Sequence, residues 1–346
     1  MKSKNKKVTM SDIAEQLGIS KNAVSLALNN KPGISDKLRQ KIVETAQRMN
    51  YCGLALEAER SCIVVLVPEY IHQDTFFYSD VFWAIEQETK KSGHPCVTIS
   101  ISGTAEHELT LPFLPRELNI LGLLVIGILN EQYLQTLCSL GFPMLTVDIM
   151  YHNNALPSVI SSSLNGGYTA TKYLIDCGHR KIGFVGNIYL AQSVYERWCG
   201  FNQAMLYHRI PVSEEYNILG DSDQFRLFND PEDLRPFLDS LSSFPTAWFC
   251  AGDRTAIALL NLLTERRIRV PDDISIIGFD NLDFSRLTIP SLTTIHVDRK
   301  KMGELAVQHL IRIGAKNNDG SVFHISLPGS LVVRNSVKNL TGSEQQ

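Results

Sequence analysis

The sequence predicts an α/β protein with a small three-helix head, built on a helix-turn-helix, and a larger two-lobed core of parallel sheets. Three observations predict it. Residues 9–29, TMSDIAEQLGISKNAVSLALN, read as two short amphipathic helices joined by a glycine-containing turn. Basic residues gather in the first fifty positions. From Cys62 onward, strand-length apolar runs alternate with helix-length amphipathic stretches, and the alternation starts again after Ser163.

In the head, Thr9 and Asp12 form a [ST]-x-x-[DE] start that covers the free N–H groups of a first turn. Ile13, Ala14 and Leu17 recur on one face, and Gly18 supplies a left-handed stop. Ile19 packs into the corner and Ser20 caps a second helix. Val24, Ala27 and Leu28 of that helix point inward, which leaves Lys21, Asn22, Ser25 and Leu26 facing out. Ser35 caps a third helix whose stripe is Leu38, Ile42, Ala46 and Met49. A second helix held this way fits the major groove of DNA.

The 346 residues carry a net charge of −3, and that small figure hides an asymmetry. Residues 1–50 hold ten Lys and Arg against four Asp and Glu, so the head has six positive charges in excess and the remainder nine negative. A basic head on an acidic body suits a polyanion partner for the head alone. Lys37, Arg39, Lys41 and Arg48 on the third helix are expected phosphate contacts, which position a head without reading sequence. Residues 50–61, NYCGLALEAERS, read as a linker with a latent helix over Leu54–Arg60.

In the core, IVVLVP after Cys62 is apolar throughout, as a strand buried on both faces is. Helix 77–91, PCVTISIS, a further helix, LGLLVIG, helix 131–140 and PMLTVD complete a first βα series. The second runs through helix 164–177, KIGFVG, helix 195–208, TAWFCA, helix 253–266 and ISIIGFD. Two series of similar length predict two lobes with a ligand cleft where strand C-termini face each other. LTTIHVD and helix 299–313 are expected to return to the first lobe. The predicted divisions are 1–50 for the head, 51–61 for the linker, 62–337 for the core and 338–346 for a tail. Within the core, lobe one takes about 62–161 plus 292–323, and lobe two about 162–291 plus 324–337.

Seven cysteines at 52, 62, 96, 138, 177, 199 and 250 lack C-x-x-C spacing, which predicts reduced thiols and neither a disulfide framework nor a zinc site. The N-terminus has lysines but no apolar stretch of an export signal, and no segment has the length of a membrane span, so a cytoplasmic protein is expected. An enzyme is not expected, since H-E-x-x-H, G-x-S-x-G, a Walker loop and a dinucleotide fingerprint are all missing from the sequence. No cofactor or metal is expected either.

Four motifs in order carry a resemblance: VTMSDIAEQLGIS at the head, GHRKIGFVG at 178–186, VPDDISIIGFDN at 270–281 and IPSLTTIHVDRKKMGELA at 289–306. Along nearly its full length the chain resembles the LacI/GalR family of bacterial transcriptional repressors. The resemblance implies a helix-turn-helix headpiece, a hinge helix and a core like that of periplasmic sugar-binding proteins. It also implies a homodimer on a palindromic, double-stranded operator, close to the nucleoid, with affinity set by a small effector such as a sugar or sugar phosphate.

Residue roles carry over from the motifs. Lys21 and Asn22 occupy the exposed start of the recognition helix, where relatives contact base edges; Lys suits guanine and Asn adenine, each good contact giving roughly 1–3 kcal/mol of discrimination. Leu26 stands where many relatives carry a polar reader, and either meets a thymine methyl or reads nothing. Thr9, Ser20, Ser25 and Asn29 are implied backbone contacts, with Arg39 and Tyr51 beside them. The hinge departs from the family pattern. Gly53 replaces the usual proline, the Ala-Arg pair is missing, and Glu57 and Glu59 bring negative charge near phosphates, although Leu54 or Leu56 remains as a minor-groove wedge.

In the cleft, Arg197 and Asp280 match the arginine and aspartate that hold ligand polar groups in relatives. Phe77 and Tyr78 stand across from them, and Ser193 and Asp148 are further polar candidates. A guanidinium and a carboxylate beside aromatic walls suit a polyhydroxylated ligand. Gly252 replaces an asparagine common in relatives, while Asp253 is expected to cap the helix that follows it. Two alternatives stand beside this reading. One is a core that answers to a phosphorylated carrier protein; the other is a ligand-binding protein that does not touch DNA. The tail after Val337, KNLTGSEQQ, has no leucine heptads, so a dimer is expected and not a tetramer.

Overall fold

The computed structural model describes residues 8–28, 31–49, 51, 61–73, 76–114, 118–151, 156–221, 228–314 and 322–341. They form two compact units. The smaller holds the described residues up to Cys62 with Gly93–Pro95 and those of Leu114–Ile120; the larger holds the rest.

The head follows its local signals. Helix α1 (Met10–Leu17) starts in a capping box: the Thr9 N–H and hydroxyl both donate to Asp12 Oδ2, at 2.6 and 2.7 Å, and the Asp12 N–H donates to Thr9 Oγ1 at 3.4 Å. Gly18, at φ 64°, ends it, and the Ile19 N–H closes onto the Ala14 carbonyl at 3.0 Å. A side chain at that φ would cost about 1 kcal/mol. Ser20 Oγ accepts the Ala23 N–H at 3.1 Å and opens α2 (Lys21–Leu28), while Ser35 Oγ accepts the Leu38 N–H at the start of α3 (Asp36–Arg48). Ile13, Ala14, Val24, Ala27, Ile42 and Ala46 are buried together, with Leu17, Leu28, Leu38 and Met49 packed on them. These are the stripes expected from the sequence.

The larger unit begins within β1 (Cys62–Pro68), which is buried along its length. The chain continues through α4 (Phe77–Ser92), β2 (Cys96–Ile101), the short α5 (Gly103–His107), β3 (Ile120–Ile126), α6 (Glu131–Cys138), β4 (Met144–Val147) and β5 (Ser158–Ser161). Then come α7 (Ser163–Asp176), β6 (Ile182–Val185), α8 (Gln192–Tyr207), α9 (Pro231–Ser240), β7 (Ala247–Cys250), α10 (Asp253–Glu265), β8 (Ser275–Asp280) and β9 (Thr293–His296). Helix α11 (Arg299–Gly314), β10 (His324–Leu327) and β11 (Ser330–Val332) complete it.

Two sheets result, ordered β10-β5-β4-β3-β1-β2 and β11-β9-β8-β7-β6. The pairs β1/β2, β3/β4, β4/β5 and β5/β10 run parallel, as do β6/β7, β7/β8 and β8/β9; β11 joins β9 antiparallel. Central strands such as β7, AWFC, are wholly buried, because helices cover both faces.

The lobe boundaries differ from those expected. The strand at 293–296 is expected in lobe one and lies in the second sheet; the strand at 324–327 is expected in lobe two and lies in the first. The chain therefore returns to the first sheet after β9, along α11, and leaves it again after β10. Helix α11 packs on α4, burying Met302, Ala306, Val307 and Leu310. Pairing decides the matter: Ile277, Gly278, Phe279 and Asp280 are in register with residues 293–296, which their apolar pattern alone does not reveal. Among the described residues, no helix is long and apolar enough to cross a membrane.

Candidate functional site

On the head, Lys21 and Asn22 are exposed at the first two positions of α2, immediately after the Ser20 cap. Ser25 and Leu26 are half-buried. A Cβ built on Gly33 would lie 3.4 Å from Leu26 Cδ1, so this leucine lies over the turn before α3 and is less outward-facing than the helical spacing predicted. Asn29 and Leu56, with Leu54 and the rest of the latent hinge helix, lie outside the described residues.

Two expected DNA contacts have other structural work. Arg39 donates through Nη1 to the carbonyls of Leu26 (3.1 Å) and Ala27 (3.3 Å), and through Nη2 to that of Lys31 (2.7 Å). Its fork closes the C-terminus of α2, where carbonyls lack helical partners and the helix dipole favours a cation. Tyr51 packs against the head core and its N–H donates to the Ala46 carbonyl at 2.9 Å.

Within the larger unit, a cavity of about 370 Å³ opens at the C-terminal ends of β4, β7 and β8, as expected for facing α/β sheets. All six predicted residues, Phe77, Tyr78, Asp148, Ser193, Arg197 and Asp280, line it. Asp148 and Asp280 follow or end their strands at φ 66° and φ 98°, in the left-handed region that carbon-substituted residues avoid. Backbone strain of this kind, about 1–3 kcal/mol each, persists where surrounding structure holds it, as at ligand sites. The Tyr78 hydroxyl donates to Asp148 Oδ2 at 3.0 Å.

Arg197 is buried in the cavity wall. Its guanidinium carbon sits 3.8 Å from the Phe279 ring centroid, Nη2 lies 3.3 Å from Asp280 Oδ1, and Nη1 donates to the Ala251 carbonyl. Stacking and ion pairing together hold the planar group in one orientation. Its backbone is fixed by helix packing: a Cβ on Gly167 of α7 would come within 2.3 Å of the Arg197 carbonyl oxygen. Gly252 leaves room for the opposite acid, since its Cβ would lie 3.3 Å from Asp280 Oδ2.

Asp253 is expected to cap α10, and it does something else. Its carboxylate turns into the protein, accepting the Leu282 N–H at 2.8 Å and the Thr294 hydroxyl at 2.6 Å. It thereby ties the start of α10 to the loop after β8 and to β9. Burial, with the Asp280 charge nearby, pushes its pKa up to about 7. Sequence reading missed other lining residues, chiefly Arg254, Thr255, Asn187 and Asn229. A signal existed for the first two: they follow Cys250 at the end of β7, where ligand-facing groups of parallel sheets gather.

The head and the core each match a known family model. Residues 9–52 match that of the bacterial regulatory proteins of the lacI family, and residues 171–337 match the periplasmic binding protein-like domain. The chain thus joins a helix-turn-helix domain of the lacI family of bacterial regulatory proteins to a periplasmic binding protein-like domain. It is a helix-turn-helix, DNA-binding transcription regulator with a periplasmic-binding-protein-like core. A curated relative, the HTH-type transcriptional repressor PurR of Vibrio parahaemolyticus, is 29% identical over 342 residues, covering 96% of this chain and 99% of its own. Among solved structures, the lac repressor dimer bound to operator and the anti-inducer ONPF superposes with a TM-score of 0.68 at 23% identity, over 96% of this chain and all of that one. A CelR–cellobiose complex gives 0.68 at 20% identity, over 95% and 100%. Likeness at these identities concerns the fold.

Proposed function

We propose that this lacI-family regulator is a cytoplasmic repressor that binds a palindromic operator as a homodimer, and that a small ligand in the core cavity sets its affinity for DNA. The observation that carries the reading is the cavity itself. Arg197 and Asp280 approach to 3.3 Å in its wall, and the six residues expected to hold an effector all line it. The head supplies the DNA contacts: Lys21 and Asn22 read base edges from the start of α2, and Thr9, Ser20 and Ser25 stand beside the backbone. Two-fold symmetry of an isologous dimer matches two half-sites in inverted repeat. The solved relatives lend support, since one is a dimer on operator and another holds cellobiose. A ligand acts only through its different affinity for two arrangements of the lobes, so the same cavity serves an inducer or a corepressor.

The test is footprinting of the full-length protein on DNA from its own promoter region. Protection of two inverted half-sites, weakened for both Lys21→Ala and Asn22→Ala with altered base preference, is expected. Protection without symmetry, or equal protection of unrelated DNA, overturns the reading.

A further inference from the structure

We infer that Arg299 is a latch behind the cavity, fixing the distance between the wall residues Phe77 and Asp280 and so setting how readily the two sheets part around a ligand. It is a positioning residue, since it does not itself line the cavity. The inference rests on the ligand-gated reading above and names the contact through which that gating is set.

Among the described residues the chain passes between the two sheets three times, at 161–163, 296–299 and 327–330. The passages touch one another. The Ser162 N–H donates to the Leu327 carbonyl at 2.8 Å, and a Cβ on Gly329 would lie 3.3 Å from the His296 carbonyl oxygen. Short passages at the ends of elements are where two lobes pivot, because a few backbone angles there absorb the rotation. Arg299 stands on one of them, as the first residue of α11, with the Asp298 carboxylate accepting the Lys301 N–H at 2.9 Å to cap the helix.

From this pivot the side chain reaches both walls. Nε and Nη2 each lie 2.9 Å from Asp80 Oδ2, and the guanidinium carbon stands 5.6 Å from the Phe77 ring centroid, both partners being in the first turn of α4. Nη1 turns the other way and donates to the Asp280 backbone carbonyl at 2.5 Å. A planar guanidinium bonded at two edges spans a fixed distance. Asp280 ends β8 of the second sheet, and α4 packs with α11, which lies on β4 and β5 of the first.

The two ends of the latch differ. Helices α4 and α11 interlock, since a Cβ on Gly303 would come within 2.7 Å of the Val81 carbonyl oxygen and 2.8 Å of Ala84 Cβ. Asp80, Phe77 and Arg299 therefore move as one piece with the first sheet, and their contacts survive a parting of the sheets. The bond to the Asp280 carbonyl does not survive it. That bond comes from a buried guanidinium, where a donor left without its acceptor is costly, whereas Asp80 is half-exposed and its ion pair is screened by water. Asp80 aims the guanidinium; the Asp280 carbonyl is the contact that opens. The latch thus favours the arrangement with the walls together, against which any ligand that needs a wider cavity must work.

Hydrogen–deuterium exchange of the full-length protein without ligand, read by mass spectrometry, tests this in wild type, Arg299→Met and Asp80→Asn. Arg299→Met is expected to exchange about threefold faster or more at 161–163 and 327–330, on the other two passages, while α10 keeps its protection. Asp80→Asn is expected to show a smaller rise at the same segments, and it decides the matter should Arg299→Met not fold. Faster exchange confined to α4 and the start of α11 means that Arg299 only packs those helices, and overturns the inference, as does unchanged exchange. Anisotropy on promoter DNA with the same samples tests the reading beneath it: a shift of about fivefold or more in the operator affinity of Arg299→Met supports both. Wild type without specific operator binding overturns that reading, and the exchange result still decides the latch.

Discussion

The Arg299 guanidinium donates to the backbone carbonyl of Asp280 at 2.5 Å. Its other edge grips Asp80 on α4, with Nε and Nη2 each 2.9 Å from Oδ2, and its central carbon lies 5.6 Å from the Phe77 ring centroid. One buried side chain therefore holds Asp280, at the end of a second-sheet strand, and Phe77 and Asp80, on a helix over the first sheet. Phe77 and Asp280 both line the cavity. Arg299 lies behind both of these wall residues.

Removing it has a calculable cost. Arg299→Ala leaves a carbonyl without its donor and breaks the ion pair, which is expected to destabilise the fold by about 2 kcal/mol in urea unfolding. Asp80→Asn removes only the charge of a half-exposed partner and is expected to cost under about 1 kcal/mol. Equal costs for the two variants would contradict the role given to the Asp280 carbonyl.

Arg39 is predicted to hold α2 without contacting phosphate. Arg39→Gln should weaken operator binding several-fold by loosening the end of the recognition helix, yet leave the dependence of log K on log salt unchanged. Deleting a cation that neutralises one phosphate lowers that slope by about one, so a reduced slope would restore the role first expected from its charge.

Much of the head was legible in its sequence because its determinants are local. Thr9, Asp12, Gly18, Ser20 and Ser35 each act within a few residues, and each does in the structure what its position predicts. Arg39 was not legible in the same way because its acceptors, the carbonyls of residues 26, 27 and 31, carry no sequence signature. In the core, alternating runs predicted the βα order, but not that β9 and β10 belong to different sheets, since strand pairing is a long-range choice. Helix α9 is hidden behind Pro231 and an internal Pro236, although Asp230 caps it. The cavity residues drawn from family motifs came together as expected.

Asp253 makes stability depend on pH in a particular direction. Its pKa is raised in the fold from an ordinary value of 3.8 to about 7, so between those values the folded protein binds more protons than the unfolded one. Its contribution is full in acid and is lost as pH rises toward 7, at up to about 1.4 kcal/mol per pH unit. The stability of wild type relative to Asp253→Asn should therefore fall between about pH 5 and about pH 7.5. A difference that stays constant or grows across that range would show that the carboxyl is ionised throughout.

Gly167 is predicted to set the position of Arg197. In Gly167→Ala the new methyl meets the Arg197 carbonyl oxygen at 2.3 Å, so α7 and α8 must separate. A loss of about 1–3 kcal/mol in thermal or urea unfolding is expected, as for overpacking in a tight core. Stability equal to wild type would mean that the helices part freely and that the glycine does not hold the arginine in place.

The central claim is that occupancy of the cavity governs the head. Fluorescence anisotropy of full-length protein on its promoter palindrome, with and without each of a panel of sugar and sugar phosphate probes and at two salt concentrations, tests it most directly. The predicted result is tight binding that weakens with salt and that one probe shifts at least tenfold, a shift abolished in Arg197→Ala while binding without ligand is kept. Specific binding that no probe moves, or a shift that survives in Arg197→Ala, would contradict it.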